Sequence, residues 1–175
     1  MSAGKEDIEI YDRYARKIGK TKDRSLGLAD DEYFFGAHAW IVNSKNEFLI
    51  QKRAAAKKIM PNMWCIHGGA VRVGESSIDT CVREIYEELG IKVDKANAEL
   101  LGEKVGPDVW RCWLDVYVIR QDIDINEIIV DKDEVSAVKW AGVDEIKKLM
   151  EQGDFFAWRE VRDIFDEIVK RIRNV

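Results

Sequence analysis

The sequence predicts an α/β fold, an α/β/α sandwich built around a mixed central sheet. Strand-like runs of apolar or alternating residues recur between residues 33 and 140. Amphipathic helical patterns occur in two places, one within that series of strands and one at the carboxyl end of the chain. Helices that enter the order at separate points can cover both faces of a sheet, and this arrangement buries the apolar stripe of each element.

Eight segments carry the strand pattern. They are residues 8–11, 17–22, 33–42, 47–52, 64–71, 100–105, 110–119 and 135–140. The first two flank a turn at residues 13–16 and predict a hairpin within an N-terminal extension, residues 1–30. The run YFFGAHAWIV at 33–42 predicts a buried strand, and the polar turn at 43–46 leads into its returning partner. Gly106-Pro107-Asp108 predicts the turn between the sixth and seventh strands.

Three helices are predicted, and the first is delimited by Gly74 and Gly90. Ser76 stands at its N-cap position with Asp79 three residues further on, which is typical of a capped helix start. At about 100° per residue, one stripe of this helix is apolar. The stripe contains Ile78, Val82, Ile85 and Leu89. The other two helices, residues 143–151 and 155–173, follow the last strand and are also amphipathic.

Length and composition are those of a globular protein, and residues 1–175 are predicted to form a single domain. The net charge is −5 and there is no lysine- or arginine-rich block, which argues against nucleic acid as the main partner. The three cysteines show no C-x-x-C spacing, so reduced thiols are expected. The sequence predicts neither an apolar leader nor a membrane span, and the expected location is the cytoplasm.

Three carboxylates crowd one side of the first predicted helix. Glu84 and Glu88 are one turn apart beside the apolar stripe, and Glu87 is three residues from Glu84. Like charges at this spacing destabilise an isolated helix, and Arg83 offsets only one of them. A divalent cation is expected to offset the others, since a set of oxygen ligands favours Mg²⁺, or Mn²⁺, over a soft metal. For this segment alone, an ordinary solvated helix face is the alternative.

The spacing of residues around this helix narrows the choice. Residues 69–91 read GAVRVGESSIDTCVREIYEELGI and match the pattern G-x5-E-x7-R-E-U-x-E-E-x-G-U, where U is an aliphatic residue. The fixed positions are Gly69, Glu75, Arg83, Glu84, Glu87, Glu88 and Gly90. With each fixed residue type used at roughly 7%, a chance match at one starting point has a probability on the order of 10⁻⁸. The chain therefore resembles the Nudix hydrolases, which carry this motif, the Nudix box, and cleave a nucleoside diphosphate linked to another group.

The resemblance implies a Nudix-type α/β/α sandwich and a metal-dependent pyrophosphohydrolase acting on a small diphosphate substrate. It implies that Glu84, Glu87 and Glu88 are the catalytic and metal-binding residues, with Mg²⁺ or Mn²⁺ as the cofactor. Gly69 lies where a strand turns tightly into the box loop, so its carbonyl is expected to face the metal or the phosphate. The expected reaction is attack of water on a phosphorus of the diphosphate bridge.

Two roles and the substrate are left open by the box. The general base is either Glu84 or, from the acidic run at 131–134, Glu134. Glu75 is expected to support the box loop from outside the metal's own ligands. The box entrance is His67-Gly68-Gly69, whereas the family often has Pro-Gly-Gly there. Nucleoside diphosphates and triphosphates, nucleotide sugars and isoprenoid diphosphates all remain candidate substrates.

The residues before the box resemble the Nudix subgroup that includes isopentenyl-diphosphate isomerase. The subgroup's segment R-x3-K…P-x-x-W is Arg53-x3-Lys57 here, followed by Pro61 and Trp64. By this resemblance Arg53 and Lys57 contact the diphosphate, because a guanidinium binds phosphate in a bidentate manner and an ammonium binds it as a point charge. Surface cations on a loop are the alternative.

Isomerase activity itself is not expected. The catalytic cysteine of the isomerase falls near Gly68 of this chain, and Cys65 is out of register with it. The paired glutamates of the isomerase fall near Trp110 and Cys112. The box of the isomerase departs from the hydrolase pattern, whereas the box here is complete.

Three further expectations concern histidines, sensing and assembly. His38 matches a metal-binding histidine of the isomerase by position and His67 lies close to another, although a structural role is the more common one for a histidine on a strand. A Nudix domain that senses a nucleotide without cleaving it is the second alternative function. The N-terminal hairpin is a candidate for pairing across a two-fold axis in a homodimer.

Overall fold

The part of the chain that the structure describes, residues 6–105, 110–157 and 159–173, contains nine strands and three α-helices. The structure is a computed structural model. The strands are β1 (Asp7–Tyr11), β2 (Lys17–Asp23), β3 (Phe34–Val42), β4 (Phe48–Arg53), β5 (Trp64–Cys65), β6 (His67–Ala70), β7 (Ala98–Val105), β8 (Cys112–Arg120) and β9 (Val135–Ala141). The helices are α1 (Ser77–Leu89), α2 (Val143–Gln152) and α3 (Arg159–Arg173).

Seven of these strands form one sheet in the order β5-β4-β3-β8-β7, with β6 paired to β3 and β9 paired to β4. The central strands β3 and β8 run parallel through nine paired positions, from Phe34 with Cys112 to Val42 with Arg120. All the other pairings in this sheet are antiparallel. The prediction of a mixed central sheet is therefore confirmed.

Helices cover both faces of the sheet, because side chains of successive strand residues point to opposite sides. On one face, α1 buries Cys81, Ile85 and Leu89 against odd-numbered residues of β3 such as Ala37 and Ile41. On the other face, α2 and α3 pack against even-numbered residues of β3 and β4. That second core includes Trp40, Phe48, Val116, Ile146, Phe165 and Ile168. The predicted α/β/α sandwich is confirmed.

The hairpin of β1 and β2 packs against the start of the box. Ile8 and Ile10 of β1 form a small buried cluster with Ala70, the last residue of β6.

The carboxylate of Glu32 connects this hairpin to the segment before β3. Glu32 is only 3% exposed and accepts hydrogen bonds from the ammonium groups of Lys20 and Lys22 and from the backbone N–H of Ala29.

We expect Glu32→Gln to destabilise the protein at neutral pH by about 2 kcal/mol, because it removes the charge of a buried acceptor that is bound by two ammonium groups and a backbone N–H. The Ala29 N–H, followed by Lys20 and Lys22, lowers the pKa of Glu32 to about 2 from an ordinary value of 4.5. The folded state therefore gains stability from this group above pH 4.5 and loses it as the pH falls from 4.5 towards 2. Urea unfolding at pH 7 and pH 3 measures both effects.

The neighbouring exposed carboxylate of Asp31 supplies the control for Glu32. Asp31→Asn should change the free energy of unfolding by less than about 0.5 kcal/mol at either pH, as expected for an isolated surface substitution. Equal losses for Asp31→Asn and Glu32→Gln would contradict the role assigned to the Glu32 carboxylate.

Helix α1 begins and ends as predicted. The Ser76 hydroxyl accepts a hydrogen bond from the backbone N–H of Asp79 at 3.2 Å, so it caps the first turn. Gly90 ends the helix with φ of +69°, in the left-handed region that favours glycine. These two caps fix which residues of the box are helical, and therefore which way its glutamates point.

Two predicted boundaries are wrong and one lies outside the described residues. The segment at 64–71 forms two short strands, β5 and β6, rather than one. Helix α3 begins at Arg159 rather than at 155, because Asp154 and Phe156 hydrogen-bond through their backbones to Trp64 of β5. A backbone engaged with a strand cannot also start a helix. The turn predicted at 106–108 falls outside the described residues.

The three cysteines are free and buried, as the sequence predicts. Burial raises the pKa of Cys65 and of Cys112 to about 12, and it raises that of Cys81 further. All three are therefore protonated at neutral pH, and none has the character of a reactive thiolate. Among the helices of the described chain, none is long and apolar enough to cross a membrane.

Candidate active site

Two glycines of β6 bring the box helix and the central sheet into close contact. A Cβ at Gly69 would lie closer than 3.0 Å to the carboxylate of Glu84. A Cβ at Gly68 would lie closer than 3.0 Å to the backbone oxygen of Ala37 on β3, and Gly68 also has φ of +149°. Any side chain at these two positions would push Glu84 or β3 aside. Gly69 lies within β6, paired with Ala37, rather than at the tight turn that the sequence predicts, and its lack of a side chain leaves room for the Glu84 carboxylate.

Arg83 organises the charged side of α1. Its guanidinium donates to both oxygens of Glu75, at 2.9 and 3.1 Å, to Glu84 at 2.6 Å and to Glu87 at 3.0 Å. Glu75 also accepts from the hydroxyl of Thr80 at 2.7 Å, so it joins the loop before the helix to the first turn of the helix. These contacts give Glu75 the supporting position that the sequence suggests.

The three glutamates of the predicted metal set lie in different surroundings. Glu84 and Glu88 are largely buried, whereas the side chain of Glu87 is 47% exposed and is also paired with Arg72. Within the described chain, no three His, Cys, Asp or Glu side chains are arranged to hold a metal ion. Glu84 and Glu88 are the two inner carboxylates, and Glu87, which shares the Arg83 guanidinium with Glu84, is the exposed one.

Burial raises the pKa of the two inner carboxylates, Glu84 and Glu88. Desolvation raises the pKa of Glu84 even though Arg83 lowers it in part. Desolvation raises the pKa of Glu88 to about 7, the charges of Glu84 and Glu134 raise it further, and a hydrogen bond from Gln51 lowers it. The carboxylates of Glu84 and Glu88 are buried and repel each other, and Glu84 lies against Gly69. A divalent cation would stabilise the ionised form of both groups. The side chains present therefore fit such an ion.

A chain of buried polar groups holds Glu88 from behind. Its Oε2 accepts a hydrogen bond of 2.6 Å from the amide of Gln51 on β4. The Gln51 oxygen is 3.1 Å from Nδ1 of His67, and Nε2 of His67 is 3.0 Å from the backbone oxygen of Leu49. Sequence reasoning missed Gln51. The signal that points to it is a polar residue at an inward position of an otherwise apolar strand, FLIQ.

The predicted phosphate ligands Arg53 and Lys57 differ in what they contact. Arg53 donates through Nε to the backbone oxygen of Ile59 at 2.9 Å, and its charge lowers the pKa of Glu88. Lys57 forms an ion pair with Glu134, the candidate base of the late loop. The structure thus brings Lys57 and Glu134 together as partners, a pairing that the sequence does not reveal.

A cavity of about 150 Å³ opens beside Gly68 and Gly69. Its walls are mainly apolar and aromatic, and Arg24 and Arg53 contribute cationic groups to it. His38 also lines the cavity, and burial lowers the pKa of His38 to about 4, so its ring is neutral at pH 7. Burial likewise lowers the pKa of His67 to about 4.

Comparison with known proteins agrees with the motif. The NUDIX domain family matches residues 33–159. An uncharacterized Nudix hydrolase of Listeria monocytogenes is 28% identical over 162 residues, which cover 92% of this chain and 94% of that protein. An isopentenyl-diphosphate Delta-isomerase of Corynebacterium glutamicum is 24% identical over 178 residues, covering 96% and 84% of the two chains.

Two solved structures share the fold. The Deinococcus radiodurans protein DR0079 superposes with a TM-score of 0.74 at 21% identity, covering 95% of this chain and 98% of its own. The NUDIX domain of Shewanella oneidensis NrtR, solved in complex with ADP ribose, superposes with a TM-score of 0.63 at 14% identity, covering 86% and 94%. At these identities the likeness establishes the fold.

The chain belongs to the NUDIX domain family, since the family match spans well over half of it. The predicted family, the predicted fold and the predicted enzyme class, a Nudix pyrophosphohydrolase, are confirmed. Nudix hydrolases in general require divalent cations. The individual site residues, their roles, the particular metal and the substrate remain predictions.

Proposed function

We propose that this protein is a Mg²⁺-dependent hydrolase that cleaves the diphosphate linkage of a nucleoside diphosphate derivative or a related organic pyrophosphate. The observation that carries this proposal is a pair of buried carboxylates on α1, Glu84 against Gly69 and Glu88 one helical turn further on. Two negative groups in that position repel each other and lose hydration, so they are unfavourable without a cation. Membership of the Nudix family supports the same conclusion.

Glu84 and Glu88 would hold the metal from the helix, and the Gly69 carbonyl and Glu87 complete the proposed set of oxygen ligands. Oxygen donors of this kind suit Mg²⁺, with Mn²⁺ as an effective substitute. When bound, the metal would neutralise charge on the diphosphate and lower the pKa of a water molecule. Glu87 reaches this site only by leaving Arg83, because its carboxylate is now 3.0 Å from that guanidinium.

Arg53 and Lys57 are the proposed phosphate contacts. Arg53 lines the same cavity as Gly69, so a diphosphate next to Gly69 lies within the reach of its guanidinium. Lys57 would exchange its partner Glu134 for a phosphate oxygen. That exchange leaves the Glu134 carboxylate without its cation and near the reacting phosphate.

The reaction we propose is attack of water on one phosphorus of the bridge: a P–O bond to the water oxygen forms, the P–O bond to the bridging oxygen breaks, and two phosphate-containing products leave. Glu84 and Glu134 remain the two candidates for the base that accepts the proton of this water. Glu84 is held by Arg83 and seated on Gly69, whereas Glu134 becomes available when Lys57 binds phosphate. Preorganised cations provide most of the rate enhancement in phosphoryl transfer, so the positions of Arg53 and Lys57 matter more than either base.

Turnover of a substrate panel tests the proposal. The panel contains nucleoside diphosphates and triphosphates, ADP ribose, nucleotide sugars, a dinucleoside polyphosphate and isopentenyl diphosphate, each with Mg²⁺. We expect at least one compound to be cleaved about 100-fold faster by the wild type than by Glu88→Gln. Phosphorus NMR in ¹⁸O-labelled water identifies the products and the phosphorus attacked. If no compound is cleaved faster by the wild type than by the variant, the hydrolase proposal is wrong.

The same panel separates the two alternatives. Isomerisation would convert isopentenyl diphosphate without releasing phosphate. The similarity to the Corynebacterium isomerase is the reason for testing this compound. The pKa of about 12 for Cys65 and for Cys112 argues against it, because an isomerase thiol must ionise or donate readily. A nucleotide sensor would bind a panel member, measured by calorimetry, without converting it. The ADP ribose complex of the Shewanella protein makes ADP ribose the first compound to examine.

We further infer that residues 1–175 act as one domain, that the protein works in the cytoplasm and that it forms a homodimer. Three free cysteines support a reducing compartment. In the described chain β2 pairs only with β1, so its outer edge is open to a second copy. Size-exclusion chromatography with light scattering measures the oligomeric state.

A further inference from the structure

We propose that Gln51 and His67 are positioning residues that hold the Glu88 carboxylate in the orientation needed for a divalent cation. This inference rests on the proposed function, because it assigns Glu88 to the metal. Its basis is the continuous polar chain that runs from the Leu49 carbonyl through His67 and Gln51 to Glu88.

The three side chains of this polar chain are buried. Gln51 is 2% exposed, His67 is 0% exposed and Glu88 is 8% exposed. They lie on the α1 side of the sheet, where neighbouring side chains such as Ile85 and Leu89 are apolar. Polar groups at such a position are often no more stabilising than apolar residues of the same size. Stability therefore does not account for this chain of groups, and a role in the site does.

The group that donates to Glu88 is uncharged. Gln51 donates to Oε2 of Glu88 through a neutral amide, so it fixes the carboxylate without supplying a positive charge. Arg83, in contrast, is a charged partner of Glu84. A cationic donor at position 51 would compete with a metal ion for Glu88, whereas an amide leaves the negative charge available. Oε1 of Glu88 accepts no hydrogen bond from any residue in the described ranges, so one oxygen is held and the other is open.

His67 restrains the orientation of the Gln51 amide. An amide that made only one contact could rotate about its last torsion, but the His67 ring lies 3.1 Å from its oxygen. The neutral ring carries one N–H: on Nδ1 it donates to the Gln51 oxygen, and in the other tautomer it donates from Nε2 to the Leu49 carbonyl at 3.0 Å. His67 also belongs to β6, two residues before Gly69. His67 therefore connects Glu88, through Gln51, to the strand that carries Gly69, against which the Glu84 carboxylate packs.

The test compares Gln51→Met with Ile41→Met. Both place methionine in the core on the α1 side, and Ile41 is fully buried but has no part in the polar chain. Binding of Mn²⁺ to the substrate-free protein is measured by the loss of the free-ion signal in EPR, alongside Tm. Loss of a group that orients a metal ligand typically weakens metal affinity or activity by 10- to 100-fold, so we expect Gln51→Met to weaken Mn²⁺ binding by about tenfold or more. Ile41→Met should leave it within about twofold, since a swap of similar volume is well tolerated.

Kinetics provide a second measurement on any substrate found. Gln51→Met should lower kcat by about 10- to 100-fold with little change in KM, because the diphosphate contacts are intact. In a Glu88→Gln background it should cause no further loss, since the carboxylate that it orients is gone. His67→Phe should reproduce the loss of Mn²⁺ affinity in smaller measure.

Several outcomes would overturn the inference. Wild-type Mn²⁺ affinity in Gln51→Met contradicts it, and so does a loss that merely follows Tm and equals the loss in Ile41→Met. Hydrolysis by the wild type together with unchanged Mn²⁺ affinity in Gln51→Met removes the positioning role and leaves the hydrolase proposal standing. Tenfold weaker Mn²⁺ binding without turnover of any compound supports positioning and contradicts hydrolysis. No Mn²⁺ binding by the wild type refutes the positioning role directly.

Discussion

Replacing Glu88 by Gln is expected to slow hydrolysis by about 100-fold and, at the same time, to stabilise the metal-free protein at pH 8. Burial raises the pKa of Glu88 to about 7 from an ordinary value of 4.5. A difference of that size corresponds to about 3 kcal/mol of destabilisation once the folded protein must carry the ionised form. Gln removes the charge and keeps a side chain of the same shape that can accept the hydrogen bond from Gln51. A rise in Tm of roughly 5–10 °C follows for a protein of this size.

The pH dependence of this effect has a definite sign. Below pH 4.5 Glu88 is protonated in both the folded and the unfolded protein, so the wild type and Glu88→Gln should have similar stability. Between pH 4.5 and 7 the unfolded chain loses a proton that the folded protein retains, and the stability of the wild type falls relative to that of the variant. Above pH 7 the difference is complete. Denaturant unfolding from pH 4.5 to pH 8 in the presence of EDTA measures it.

Mg²⁺ should reverse the order. A ligand that binds only the folded protein stabilises it by about 2.7 kcal/mol at a concentration 100 times its Kd, so saturating Mg²⁺ should raise the Tm of the wild type and not that of Glu88→Gln. Glu87→Gln is the matched control on the same helix. Because the Glu87 side chain is 47% exposed and paired with Arg83, this control should give no gain in stability without metal. A Glu88→Gln variant that is less stable than the wild type in EDTA at pH 8 would contradict the buried, unfavourable carboxylate.

Most of the fold follows from local patterns, because each pattern has a single physical cause. The apolar run at 33–42 predicts a buried strand, and β3 does contribute residues to the cores on both faces of the sheet. The Ser76 cap and Gly90 delimit α1 where the sequence places them. Residues 155–157 were predicted to be helical from their apolar spacing alone. Phe155 and Phe156 instead pair with Trp64, which lies more than 90 residues earlier in the chain, and the periodicity of one segment carries no information about such a contact.

The site divides in a similar way. The spacing of the box glutamates predicts that all three crowd one side of α1, whereas in the structure Glu84 and Glu88 are buried and Glu87 is 47% exposed. That Glu87 is held outward by Arg83 depends on side-chain geometry, which spacing does not encode. The Gln51–His67 chain and the Lys57–Glu134 pair join segments that are distant in sequence. Neither is visible until the strands are placed side by side.

Gly69→Ala is expected to lower kcat/KM by at least about 100-fold while the protein remains folded. The new Cβ would lie closer than 3.0 Å to the Glu84 carboxylate, so this side chain must move away from β6. A displacement of about 1 Å in a catalytic group is enough for a loss of this order. The atom that must move is the end of a long side chain, and for this reason the free energy of unfolding should fall by no more than about 1–2 kcal/mol. Steady-state kinetics with Mg²⁺ and urea unfolding measure the two effects separately.

Gly142→Ala is the control for an added methyl group, because a Cβ there meets no atom within 4 Å. It should leave kcat/KM within about twofold and stability within about 1 kcal/mol. The double variant Gly69→Ala with Glu84→Gln separates displacement of Glu84 from any other consequence of the methyl group. If Gly69 acts by seating Glu84, the double variant should be no less active than Glu84→Gln alone, since both changes remove the same interaction. A further tenfold loss in the double variant would show that the new methyl group blocks the site directly, and Gly69 would then be a residue that gives the phosphate room to approach rather than one that positions a carboxylate.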